Sequence, residues 1–543
     1  MGKSHTEPIR HRVARTPVGR WSALAATVLL SFTALTTASP AAAKVIGPGP
    51  VASWTTTTGT DGRVYIADQS GRAMQFHGFN IKATQPATSV TDELLADAAS
   101  RGLDHLRLGF YWQFLEPEKD KFDEAFLDEI VTVLDRAEAH GITVILDMHQ
   151  DVFGEAFDSH GIPAWATRTD GHDFTPNDNW LLSYLEPAVQ AAFEHLYEDA
   201  DLRQQQIDAW MHVVERVKDH PALFGYDLLN EPFGKQREGE DLITAAVRVE
   251  REQLTAMYQR LADAIFAVDS DHWVFFEPPN LASLGIATNL GEVRGPKLAF
   301  YPHMYDPDIE IATYSPDGKI VINRDFFAKW RDAITTYVDK YPMPMLVGEW
   351  GIASPELPGM DEFVDLSLQT LDEVSSGWSM FAMCRGSGYC PFDEAGNPRP
   401  AIGRIFQPYA RAIAGSPERT SWDADSRVLK VTYTDSAASG ASEIYLDAQA
   451  TYPEGWTVET SDADGTWSHE YDSERDVLAV NVSKGDSSHT ICVKPAGAPA
   501  GCTAAQAPTD GGSAPKPVPS ERPSVAGSAP GATAVSGRPS YTG

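Results

Sequence analysis

The chain has 543 residues, enough for two to four domains at roughly 100–200 residues each. Hydrophobic residues make up 42% and charged residues 22%, which excludes a wholly disordered, collagenous or coiled-coil protein. The net charge of −33 repels phosphate backbones and anionic bilayers, so a nucleic-acid partner and electrostatic membrane docking are excluded.

Residues 1–43 read as a signal peptide. A basic start (Lys3, Arg10, Arg12, Arg15, Arg20) precedes an apolar stretch, Trp21–Leu35, and then Ala41-Ala42-Ala43. No later stretch reaches the roughly 18 apolar residues of a spanning helix, so no integral membrane segment is expected after cleavage. The expected location is secreted. Residues 44–60 read as an N-terminal linker.

From 61 to 415, short β-rich runs alternate with amphipathic helical stretches. The runs are Phe76–Ile81, His105–Phe110, Thr143–His149, Gly225–Glu231, Trp273–Pro279, Leu298–Tyr305, Met345–Trp350 and Trp378–Cys384. Asp123–His140, Leu202–Lys218, Val247–Val268 and Asp325–Asp339 are among the helical stretches. Eight strand–helix units predict an α/β fold with a (β/α)8 TIM barrel. The alternative, a doubly wound open sheet, would carry a Gly-rich phosphate loop, and no GxGxxG or P-loop occurs. Residues 416–502 show short β-patterns without a long helix and predict a small C-terminal β-sandwich. Residues 503–543 are dominated by Pro, Ser, Gly and Ala and cannot bury a core. This tail is a candidate spacer at a cell surface. An exported chain can form disulfides, and local spacing pairs Cys384 with Cys390 and Cys492 with Cys502.

Barrel chemistry sits at the C-terminal ends of strands. Those ends carry Lys82, Arg107, His149, Asn230, Glu231, His303, Tyr305 and Glu349. Two glutamates, one closing the fourth run in Asn230-Glu231-Pro232 and one near the end of the seventh in Gly348-Glu349-Trp350-Gly351, suggest glycoside hydrolysis. One would protonate the leaving oxygen while the other attacks the anomeric carbon or activates water. A site with His149, Asp147 and Asp151 as metal ligands is disfavoured, because the sugar-binding reading of these residues needs no ion. A serine hydrolase is excluded by the lack of a GxSxG elbow. No metal and no organic cofactor are expected.

In this order Arg107, His149, Asn230-Glu231, His303-x-Tyr305 and Glu349 resemble glycoside hydrolase family five of clan A. Asn80-Ile81-Lys82, Asp147-Met148-His149-Gln150-Asp151, Pro163-Ala164-Trp165-Ala166, the stretch Asp227–Gly234 and Pro302–Tyr305 narrow the resemblance to the endoglycoceramidases. That resemblance implies a retaining enzyme releasing intact oligosaccharide and ceramide from glycosphingolipids. It implies Glu231 as acid/base and Glu349 as nucleophile, with Arg107, His303 and Tyr305 in support. Lys82, His149, Asp151 and Asn230 would bind the sugar beside the cleaved bond.

Members place a tryptophan near the end of strand eight as a floor for that sugar. Here either Phe381 or Trp378 stands for it, and the position of Gly377 favours Phe381. A smaller ring leaves different room for an axial 4-hydroxyl, which makes an endogalactosylceramidase the nearest rival. A β-glucosylceramidase, β-glucanase or β-mannanase could use the same barrel. A non-catalytic glycolipid-binding protein is disfavoured, because both glutamates are present. Phe153, Phe157, Trp165, Phe174, Trp180, Phe233 and Met383 are candidates for an apolar rim groove. Nothing requires more than a monomer.

Overall fold

The computed structural model describes residues 43–177, 180–310, 319–353, 355–386, 388–485 and 488–499. All but the last residue of the expected signal segment lies outside them, as do the 503–543 tail and Cys502. Among the described residues no helix is long and apolar enough to cross a membrane.

Three short strands come first: β1 (Thr55–Thr58), β2 (Val64–Ala67) and β3 (Ala73–Met74). The barrel strands follow as β4 (Phe76–Lys82), β5 (His105–Phe110), β6 (Thr143–Met148), β7 (Leu223–Asp227) and β8 (Trp273–Phe276). The rest are β9 (Leu298–Phe300), β10 (His303–Met304), β11 (Val347–Gly351) and β12 (Gly377–Phe381). These nine form one parallel sheet, curled in the order β10-β11-β12-β4-β5-β6-β7-β8-β9. β9 and β10 are two halves of the sixth expected strand. Pro302, which has no N–H for the ladder, lies at the break. A parallel bridge from Phe300 to Met345 closes the circle.

All eight expected runs are present. The fourth and fifth stop earlier than expected, at Asp227 and Phe276, so Asn230-Glu231 and Glu277 stand in loops just past their strands. Strands such as β5 are buried along their whole length, as expected where the barrel interior covers one face and helices the other. Phe76, Ile145, Phe224, Phe275, Tyr301 and Leu346 fill the lower interior, and Trp54 packs into the same cluster.

The second layer is β13 (Tyr409–Ile413), β14 (Ser416–Asp423), β15 (Val428–Thr434), β16 (Ser442–Tyr445), β17 (Trp456–Thr460), β18 (Trp467–Asp472), β19 (Val477–Val482) and β20 (Ser488–Pro495). They form two antiparallel sheets, β1-β2-β3-β13-β16-β19-β18 and β14-β15-β20-β17. In β15 buried and half-buried residues alternate, as in a strand with one face on a core.

Two expected boundaries need correction. The stretch 44–60 is more than a linker, and the barrel does not begin at 61, because β1, β2 and β3 belong to the sandwich sheet. Met74 pairs with Ala412 and Ala73 with Ile413, so β13 also joins the sandwich before residue 416. The junction is sealed by Arg72. It is fully buried, contacts Asp68 and Glu443 at 2.7 Å each, and donates to the Gly47 and Ala441 carbonyls.

Candidate active site

The strand period of two decides which side chains enter the barrel. In β5 His105 and Arg107 turn inward while Leu106 and Leu108 join the outer core. Near the end of β6 the same alternation sends Asp147 and His149 inward and Met148 to the outer core.

Arg107 is the hub. Its Nε donates to Asp227 at 2.9 Å, and its terminal nitrogens reach Glu349 at 2.6 Å, Glu277 at 2.7 Å and Asp147 at 3.1 Å. They also donate to the side-chain oxygens of Asn80 at 3.1 Å and Asn230 at 2.9 Å. Asp147, Asp227 and Glu277 approach within 4.8 Å of one another, and the guanidinium touches all three. A planar fork with five donors suits that task, and a lysine does not.

Glu231 stands on a loop with φ of +38°, a left-handed value that a non-glycine residue holds only when its surroundings enforce it. The enforcement is visible. Its amide donates to Glu277 at 2.7 Å, and Gln150 donates to the carbonyls of Asn230 and Glu231 at 2.8 and 2.9 Å. Its carboxylate meets His303 Nδ1 at 2.9 Å, with the Ser283 hydroxyl at 3.5 Å. Glu349 takes Arg107 on one oxygen and the Tyr305 hydroxyl, at 2.9 Å, on the other. Carboxylate oxygens of Glu231 and Glu349 lie within 4.8 Å of each other. Their residues are only 9% and 5% exposed, so water screens neither charge well.

The two carboxyls are displaced in opposite directions. Burial raises Glu231, only partly offset by its bond to His303 and reinforced by the charges of Glu349 and Glu277. Burial also pushes Glu349 upward, but the positive charges of His303, Arg107 and His149 outweigh it and leave Glu349 below the ordinary value. Burial disfavours the cationic form of His303, yet Glu277 and Glu349 hold the imidazole well above its usual value. The ring is therefore charged and donates to Glu231. Glu277 is held at about 2 by His303 and Arg107 against its burial.

Lys82 Nζ reaches Asp151 at 2.8 Å and lies 5.2 Å from the Phe381 ring centre. His149 Nδ1 meets Asp147 at 2.6 Å, and its Nε2 lies 3.6 Å from Asp151. Desolvation lowers His149, but Asp147 and Asp151 carry it up to about 9. Lys82, Arg107, His149, Asp151, Asn230, Glu231, His303, Tyr305, Glu349 and Phe381 thus form one connected set.

Trp378 is not part of it. Its indole is 1% exposed, stacks on His77 with ring centres 4.2 Å apart, and meets Trp350 edge-on. In β12 Ser379 faces inward to His105 and Tyr301, so Phe381 shares its parity and Trp378 points the other way. The rim groove also needs correction. Phe153, Phe157, Phe233 and Met383 are buried, Trp165 and Phe174 are half-buried, and Trp180 is exposed.

Asn80, Gln150 and Asp227 stand in the motifs that carry the resemblance but are given no role there, and Glu277 is not singled out from the sequence. Glu277 had a signal: it directly follows a strand and precedes Pro278-Pro279. The Cys384–Cys390 disulfide is present and closes the loop after β12.

A family model described as cellulase (glycosyl hydrolase family 5) matches residues 67–387, and one for the glycoside hydrolase family 5 C-terminal domain matches 407–493. The chain is 27% identical to endoglycoceramidase I of Rhodococcus hoagii over 74% of this chain and 82% of the relative. It also resembles two solved structures of endo-glycoceramidase II from Rhodococcus sp., a complex with ganglioside GM3 and a lactosyl-enzyme intermediate. Both are 27% identical with a TM-score of 0.69, covering 80% of this chain and 100% and 99% of theirs.

Proposed function

The chain belongs to glycoside hydrolase family 5 and is a glycoside hydrolase of endoglycoceramidase type; from that premise we propose that it is secreted, cleaves the bond between oligosaccharide and ceramide in glycosphingolipids, and retains anomeric configuration. The observation that carries the mechanism is the Glu231–Glu349 pair. Their oxygens lie within 4.8 Å, well short of the about 6.5–9.5 Å that leaves room for a water in inverting enzymes.

The steps follow from the site. Glu349, kept ionised by Arg107 and by the Tyr305 hydroxyl, attacks the anomeric carbon. The bond to the ceramide oxygen breaks as Glu231 gives that oxygen its proton. Ceramide leaves as an alcohol and a glycosyl–Glu349 ester remains. The Glu231 carboxylate then takes a proton from water, the resulting hydroxide attacks the same carbon, and Glu349 is released. His303 stays charged and holds the Glu231 carboxyl in place throughout. Lys82, His149, Asp151 and Asn230 bind the sugar beside the bond, with Phe381 against it.

Product analysis tests the substrate class. The protein from Lys44 onward is incubated in detergent micelles with a lactosylceramide-rooted ganglioside and with a galactosylceramide-rooted oligosaccharide. Mass spectrometry should find intact ceramide and intact glycan from the first. Release from the second alone would assign the galactosylceramide branch and point to Phe381 as its cause. Cleavage of a β-glucan or β-mannan with no ceramide release would refute the lipid reading.

Two further results are expected. Activity needs Glu349 ionised and Glu231 protonated, so kcat/KM rises with pH as Glu349 loses its proton, at a pH below the ordinary carboxylate range. It then falls as Glu231 loses its own above that range, giving a bell. A profile still flat where Glu231 should deprotonate would contradict the acid role. Glu231→Gln should lower kcat on the lipid by roughly 10²–10⁴-fold. On 4-nitrophenyl β-lactoside, whose leaving group departs without a proton, it should lower kcat/KM far less, while kcat falls with the slowed hydrolysis of the glycosyl ester. Azide should restore turnover by attacking the glycosyl ester, giving a glycosyl azide detectable by mass spectrometry.

A further inference from the structure

The groups that ring the sugar side come from β4, β6 and the loop after β7. Across the mouth, after β10, stand Tyr305 and Glu310, and the loop following β12 leans over the same side. That loop is stapled. Cys384 and Cys390 are joined, Arg385 and Phe392 form a bridge, and Arg399 donates to the Gly386 carbonyl.

Its tip carries Tyr389. The Tyr389 hydroxyl donates to the Glu310 carboxylate. Its ring lies edge-on to Phe381 with centres 5.4 Å apart and to Tyr305 at 6.1 Å. It packs so closely on Gly351 that a Cβ there would come within 3.0 Å of the ring. Gly351 is two residues from Glu349, so Tyr389 lies next to the nucleophile's strand end.

We infer that Tyr389, presented by the disulfide-closed loop and anchored on Glu310, is a specificity-determining residue that walls the leaving-group side of the cleft. The inference rests on the proposed two-glutamate reaction. Glu310 stands near enough to Glu231 for their charges to interact, so the Tyr389–Glu310 pair borders the side on which Glu231 meets the leaving oxygen. The ring supplies an apolar edge, and the Glu310 bond fixes its height over Gly351. A wall carried on a short covalent loop is rigid, which lets it discriminate between leaving groups rather than adapt to them.

The test compares Tyr389→Ala, Tyr389→Phe and Glu310→Gln with the wild type, and also treats the wild type with a reductant that opens the disulfide. Substrates are lactosylceramide in micelles, cellohexaose and 4-nitrophenyl β-lactoside. Which of the first two the wild type cleaves bears on the proposed function. The wall is read separately, from KM and kcat on the preferred one of the two against the aryl lactoside. Tyr389→Ala and the reduced wild type should raise KM on the preferred substrate about tenfold, with a smaller change in kcat. Tyr389→Phe keeps the ring and should raise it only about threefold, as should Glu310→Gln. The aryl lactoside, with its small leaving group, should respond less in each case. Equal losses on both substrates, or KM within twofold of wild type in Tyr389→Ala, would overturn the assignment. The reductant arm needs no substitution in the loop; read against Cys492→Ser treated in the same way, so that only the opening of the Cys384–Cys390 bond counts, it decides the matter if a variant fails to fold.

Discussion

Glu349→Gln is expected to lower kcat by roughly 10⁴–10⁶-fold, the scale seen when a hydrolase loses its nucleophile. The amide has the carboxylate's shape. Its oxygen can still accept from Arg107, which sits 2.6 Å away in the wild type, and its NH2 can donate to the Tyr305 oxygen in place of the bond Tyr305 now gives. What is lost is the charge that becomes a bond to carbon. Binding contacts made by Lys82, His149, Asp151 and Asn230 are unchanged, so KM should move by no more than about threefold. Two measurements check this: initial rates on micellar glycolipid, and mass spectrometry after an activated 2-fluoro glycoside. The wild type should gain the mass of one glycosyl group and the variant none. Turnover within tenfold of wild type would remove Glu349 from its role.

Arg107→Ala should damage both the fold and the chemistry. It would leave Asp147, Asp227, Glu277 and Glu349 facing one another without the guanidinium that contacts all four. Removing one partner from a buried charge network costs about 3–5 kcal/mol, because the remaining charges stay buried and unpaired. Asp227 already absorbs part of the strain, since burial and the Glu277 charge raise its carboxyl well above the ordinary range. The catalytic consequence has a definite sign. Without the positive charge beside it, Glu349 holds its proton to higher pH, so the acid limb of the kcat/KM profile moves upward. Arg107→Lys should show the same shift in smaller degree, because one ammonium cannot serve four carboxylates and two asparagines. Thermal unfolding and the pH profile read the two effects separately. An Arg107→Ala protein with an unmoved midpoint and an unmoved acid limb would show that the network does neither task.

Much of this was legible in the residues themselves. β5 has the bounds its sequence suggests, and Asp123 caps the helix Glu124–Ala139 by accepting from Ala125 and Phe126 amides, as an Asp before an apolar-periodic stretch should. The two glutamates could be found because each stands just past or near a strand end in a short motif. Trp378 shows where such reading fails. Aromatic character identifies a ring and not its direction, and a shift of one position in a strand exchanges interior for exterior. Only the partnership of Ser379 with His105 and Tyr301 settles that parity. Glu277 was hidden for another reason: its work is to bind Arg107 and the Glu231 amide, contacts that join the fourth and fifth strand ends to the second and have no local spacing. Tyr389 is likewise invisible without the loop that the disulfide closes.

The same distance in sequence governs how the molecule is made. Ile46 donates its amide to Glu443 across 397 positions, and the Arg72 guanidinium waits for the same carboxylate. At about 5–20 residues per second, the ribosome needs roughly 20–80 s to supply that partner after the N-terminal strands emerge. During that interval Arg72 has Asp68 but not Glu443, the edge of β3 is open, and the Trp54 plug has no finished barrel to enter. Assembly therefore ends where the chain began, and a version stopped after the barrel would leave its first three strands without β13 and the rest of their sheet.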